Sequence, residues 1–183
     1  MFNYTADISV LSHNIIKDNI NNFDIAIDAT LGNGKDTDFL SKNFKKVYSF
    51  EIQHIAIENY KNKKIQNVNL IEESHEFIDN TIKSSVDCII YNLGYLPGGD
   101  KNITTTCKST LISIKKGLEL LKSQGIMAIS MYSGHEEGKK EKEEILKYAS
   151  SLDKLIYGSM LHETLNRNNA PSLLIIEKRK IKI

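Results

Sequence analysis

At 183 residues the chain is long enough for one domain with one continuous core and too short for two ordinary ones. The formal charge of +1 comes from 24 Lys and Arg against 23 Asp and Glu, so a polyanionic partner must be met by a local patch and not by the field of the whole molecule. Two cysteines without C-x-x-C spacing, five histidines without metal-ligand spacing, and no apolar run of the roughly 18 to 20 residues a bilayer requires exclude a disulfide framework, a metal centre and a membrane span.

Cys88 and Cys107 are therefore expected to be reduced, in a chain without a leader that is soluble and cytoplasmic. In chain order, the pattern predicts an opening helix near 9–20 and strands near 24–30, 46–51, 67–72, 86–92, 125–132, 153–161 and 172–179. Helices are predicted from near Asp36, from near His54, briefly near Glu76, over 104–121 and over 137–149. Short apolar runs alternating with amphipathic segments mark an α/β fold, a mostly parallel seven-stranded sheet with helices on both faces. Between the last two strands lies only the polar loop "LHETLNRNNAPS", so the last strand should pair antiparallel. The charged run "EEGKKEKEEILK" places Glu136 and Lys140 at i, i+4, as on a solvated helix face.

The first strand runs into a glycine turn, "IAIDATLGNGKDT", with Gly32 and Gly34 ahead of a helix whose expected N-cap is Asp36. Glycines here let a ligand approach the backbone, and Asp36 and Thr37 can satisfy free amides at the helix start. The third glycine of the dinucleotide fingerprint is replaced by Thr37, and Asp28 and Asp36 surround the turn with negative charge. A pyrophosphate needs unopposed amides at that point, whereas the ammonium and sulfonium of S-adenosylmethionine (SAM) are favoured by carboxylates.

Glu51 ends the second strand about twenty residues on, where a carboxylate can accept both ribose hydroxyls. SAM is therefore the expected cofactor and S-adenosylhomocysteine (SAH) its product. Asn33 and Asp36 are assigned to the methionine end, Ile52 or Gln53 to the adenine edge, Ser74 and His75 to its far side, and Asp28, Thr30, Gly32, Gly34 and Thr37 to the turn itself.

The fourth strand ends in "DCIIYNLGYLPGGDK". In a doubly wound sheet its carboxyl end lies beside the ligand of the first turn, which brings Asn92 and Tyr95 to the transferable methyl. "N-L-G-Y" resembles the N-P-P-Y signature of enzymes that methylate planar nitrogens, with Leu93 and Gly94 in place of the prolines. In that arrangement the Asn oxygen accepts from the target amine and the ring packs on the target.

"DATLGNGKDT", "YNLGYLPGGDK" and "MYSGHEEG", in this order, resemble the small bacterial YtqB/MnmM family, long labelled rRNA methylases, across nearly the whole chain. The resemblance implies a class I, Rossmann-like methyltransferase that converts 5-aminomethyl-2-thiouridine at the tRNA wobble position to its 5-methylaminomethyl form. Ser133 stands where the family pattern has a proline. Asn92 and Tyr95 would then hold the acceptor, and the amine proton would leave to water, Asp100 or His135. Lys35, Lys101, Lys139, Lys140 and Arg167 are expected at RNA phosphates, with Tyr95 or Tyr132 stacking on a splayed base. The expected partner is the tRNA anticodon region, with no membrane and no metal, and a homodimer is left open.

Overall fold

The computed structural model describes residues 4–5, 7–94, 105–134 and 136–180. Seven strands form one sheet in the order β3-β2-β1-β4-β5-β7-β6. They are β1 (Ile25–Asp28), β2 (Lys46–Phe50), β3 (Val68–Ile71), β4 (Val86–Asn92), β5 (Leu121–Met131), β6 (Tyr157–His162) and β7 (Ser172–Lys178). Only β7 runs against the rest, pairing antiparallel with both β5 and β6, as the polar loop before it predicts.

Both faces of the central strands are buried, and the period-2 pattern divides the core in two. Ala26, Cys88, Ile90 and Ala128 face Ile16 of α1 (Ile8–Asn19) and Leu40 of α2 (Lys35–Asn43). Ile27, Ile89, Tyr91 and Ile129 face Ile78 of α4 (Ile78–Thr81), Ile114 of α5 (Cys107–Leu120) and Ile145 of α6 (Glu136–Ser150). A smaller cluster joins Leu31 to Ile57 and Tyr60 of α3 (His54–Lys61).

Three local expectations are corrected. The fifth strand starts at Leu121 and not at 125: buried Leu121 pairs with Val86, and a register shift between Val86 and Cys88 absorbs the extra residues around the left-handed Gln124. The sixth starts at Tyr157, because the Asp153 side chain accepts from Leu155 N at 2.8 Å and its carbonyl from Ile156 and Tyr157, closing a turn where a strand is predicted. On α6, Glu136 pairs with Lys139 at 2.7 Å and not with Lys140.

Candidate functional site

The strand order reverses between β1 and β4, the point at which an α/β sheet opens a crevice beyond its carboxyl ends. A cavity of about 780 Å³ lies there. The turn after β1, the loop after β2 and Asn92 to Gly94 after β4 form its walls, with Ser74 and His75 on one side and Tyr132 on the other.

The turn is built by its glycines. Gly32 and Gly34 have φ of 50° and 78°, and a Cβ on Gly34 would overlap the Tyr60 ring; only glycine satisfies both demands. Gly32 N donates to Glu51 Oε2 at 3.0 Å, while Glu51 Oε1 accepts from Ile52 and Gln53 N at 2.9 and 3.0 Å. These amides aim the carboxylate along the wall while leaving it lone-pair capacity for a hydroxyl.

Asp28 and Thr37, expected at the cofactor, are fully buried and lie behind the cavity wall. Asp28 accepts from Thr30 N at 3.0 Å and from Thr37 Oγ1 at 2.6 Å, and Thr37 Oγ1 also meets Ser49 Oγ at 2.8 Å. Their role is to lock the turn, because the strand's alternation points Asp28 into the core. Burial, with Asp36 and Glu51 nearby, holds the Asp28 carboxyl above the usual range.

Asp36 is not the N-cap either. Gly34 occupies that position in the left-handed region without a side-chain cap, which frees Asp36, in the first turn of α2, to face the cavity. Asn92 Nδ2 donates to its Oδ2 at 3.3 Å, and Asn92 N donates to Thr30 Oγ1 at 2.7 Å. The two motifs read separately in the sequence are thus hydrogen-bonded to each other at both the side chain and the backbone of Asn92.

Beyond Asn92, Gly94 (φ 122°) donates its N–H to Thr105 Oγ1 at 3.0 Å, and Thr105 in turn donates to the buried Glu141 at 3.0 Å. Tyr95, Asp100, Lys101 and His135 lie outside the described residues. Tyr132 is 38% exposed; burial and the charges of Asp36 and Asp7 push its phenol up, while hydrogen bonds from Asn92 and Ser9 pull it down.

On the opposite wall, Ser74 accepts from Glu76 N at 3.4 Å, capping a short 3₁₀ turn, His75–Phe77. His75 is buried, stands edge-on to Tyr91 at 5.9 Å, and has no partner for Nδ1. Burial lowers its imidazole to about 4, so at neutral pH it is an uncharged ring in the cavity wall whose Nδ1 is buried and unsatisfied.

Asn33, Ile52 and Gln53 line the cavity as expected, and so does Lys35, assigned to RNA on sequence. Lys139 is tied to Glu136. Arg167 lines a neighbouring groove of about 320 Å³ with Tyr4 and Pro171. Asp7, Ser9, Thr105, Ser109 and Asn169 also line the main cavity and carry no local motif; Asp7 caps α1 by accepting from Ser9 N at 2.8 Å.

Asp7, Asp36, Glu51 and Glu73 against Lys35 leave the walls predominantly anionic. This excess of anions suits a cationic ligand and opposes a pyrophosphate.

The family model described as "Putative rRNA methylase" matches residues 47–178. A chloroplastic tRNA (mnm(5)s(2)U34)-methyltransferase of Arabidopsis thaliana is 31% identical over 188 residues, covering 93% of this chain and 69% of its own. A Streptococcus mutans protein described as a methyltransferase and solved with SAH is 39% identical, with a TM-score of 0.86 over 94% of this chain and 98% of that one. An rRNA methylase of Streptococcus thermophilus is 31% identical, with a TM-score of 0.79 over 96% and 99%.

Proposed function

The chain belongs to this rRNA-methylase family, and on that premise we propose that it is a SAM-dependent methyltransferase acting on tRNA, whose acceptor is the amine of 5-aminomethyl-2-thiouridine at the wobble position and whose product is the 5-methylaminomethyl form. The observation that carries the reading is the direct hydrogen-bonded link between Asn92, at the end of β4, and Asp36, in the turn that follows β1, on the wall of one cavity. A cofactor site and an amide able to hold an amine are thereby adjacent. The Arabidopsis relative, named for a wobble-position tRNA substrate, supports the choice of acceptor.

When bound, SAM supplies an electrophilic methyl on a sulfonium. Glu51 holds a ribose through its free lone pairs, His75 offers a neutral ring to the adenine side, and the carboxylate of Asp36 favours the cationic end. Asn92 Oδ1 accepts a hydrogen from the acceptor amine and keeps the nitrogen's lone pair turned towards the methyl, which is the positioning an in-line displacement needs.

An alkyl amine with a lysine-like pKa of about 10.4 arrives protonated. The anionic wall draws the cation in, and burial beside a second positive centre lowers its proton affinity. The proton then passes to water, Asp100 or His135. Lys35, Lys101, Lys139 and Arg167 contact phosphates and Tyr132 stacks on the target base.

Labelled-methyl transfer from SAM to purified bulk tRNA and rRNA tests the acceptor. Label is expected in tRNA, lost in Asn92→Ala while calorimetry still shows SAM binding. Label confined to rRNA would move the acceptor to that RNA.

A further inference from the structure

Asn92 Nδ2 donates to Asp36 Oδ2 at 3.3 Å. A carboxylate accepts and does not donate, so this contact fixes which end of the amide faces Asp36 and turns the oxygen the other way, as the acceptor. That orientation is what an amine acceptor requires, and it depends on Asp36 remaining a pure acceptor in the right rotamer. A rotated Asp36 would let the amide turn its NH₂ towards the amine, where it would donate to the nitrogen's lone pair and draw that pair away from the methyl.

Asp36 is 6% exposed and its charge acts on the fully buried Asp28 carboxyl, so its placement needs a counterweight. His13 of α1 supplies it. His13 Nε2 lies 2.6 Å from Asp36 Oδ1; against a carboxylate that nitrogen must carry the hydrogen. The ring cannot swing away, because it stacks flat on Phe39 of α2 at 3.8 Å and 4°. The chain of contacts therefore runs Phe39, His13, Asp36, Asn92, and joins the first helix to the residue that meets the acceptor.

We infer that His13 is a positioning residue for methyl transfer: it pins the Asp36 carboxylate, which in turn fixes the Asn92 amide with Oδ1 towards the acceptor amine. This rests on the acceptor reading above. His13 itself does not line the cavity and acts only through Asp36: without it the carboxylate keeps its charge for the cationic end of SAM, and what is lost is the aim of the Asn92 amide.

His13→Phe keeps a flat ring on Phe39 and removes only the donor. It is expected to lower kcat on the order of 10- to 100-fold, the scale of a small misplacement of a reacting group, while the SAM Kd stays within about threefold. His13→Gln, which restores an N–H donor, should recover most of the loss. In an Asp36→Ala background His13→Phe should have almost no further effect, since His13 acts only through that carboxylate.

If His13→Phe fails to fold, as judged by its melting curve, His13→Ala with added imidazole replaces it, with rescue of kcat expected. A weakened SAM Kd at unchanged kcat, full additivity in the double variant, or absence of rescue by both Gln and imidazole would overturn the inference. Wild-type transfer to tRNA is the control: its absence counts against the acceptor reading, whereas wild-type transfer with unaffected His13 variants counts against His13 alone.

Discussion

His75 makes the stability of the fold depend on acid in a way that can be worked out in advance. Its imidazole is lowered from 6.5 to about 4 by burial, so the unfolded chain binds a proton that the folded one refuses between those two values. The stabilisation is complete above pH 6.5 and is lost as pH falls towards 4. Between pH 7 and pH 5 the linkage amounts to about 2 kcal/mol, or roughly 4 to 8 °C in Tm for a domain of this size.

Asp28 acts in the opposite sense over the same interval. Its carboxyl is raised, so acidification favours the fold through that group. The raw Tm of the wild type therefore mixes two effects, and the His75 contribution is isolated by comparison with His75→Phe, which keeps the edge contact with Tyr91 and cannot titrate. Thermal melts of both proteins at pH 7 and pH 5, followed by circular dichroism, should show the wild type losing about 2 kcal/mol more than the variant. Parallel losses would mean that His75 is not held neutral on the cavity wall, and its assignment to the adenine side would lose its physical basis.

Other perturbations separate binding from turnover. Glu51→Ala removes the carboxylate that joins Gly32 to Gln53 and should weaken SAM by tenfold or more, roughly 1.4 kcal/mol or above, in calorimetry; an unchanged Kd would place the ribose elsewhere. Asn92→Ala should abolish turnover while SAM binding persists, and loss of both would make it a structural residue. Gly34→Ala forces a side chain into the left-handed region against Tyr60, with an expected destabilisation of about 2 kcal/mol or more and loss of SAM binding; a variant that melts and binds normally would contradict the turn geometry.

The sheet was legible because buried parallel strands leave short apolar runs, such as 86–92, that helical segments cannot mimic next to turns. The glycine turn and Glu51 were legible because the chemistry of a cofactor site is local to two strand ends. Only the N-cap reading of Asp36 fails, for the converse reason: a carboxylate after a glycine resembles a helix cap, and nothing local records that Asn92, 56 positions on, competes for it. Asp28 was assigned to the ligand from charge alone, whereas the strand's alternation turns it inward onto Thr37. The contribution of the first helix, through Asp7, Ser9 and His13, exists only once α1 packs beside α2, so it left no spacing to read.

The acceptor is the claim on which the account turns, and the nucleoside content of tRNA tests it most directly. Mass spectrometry of digested tRNA from a strain lacking this protein should show 5-aminomethyl-2-thiouridine accumulating and its methylaminomethyl product lost, both restored by the wild-type chain and not by Asn92→Ala. Unchanged 5-methylaminomethyl-2-thiouridine with no build-up of the precursor would contradict it.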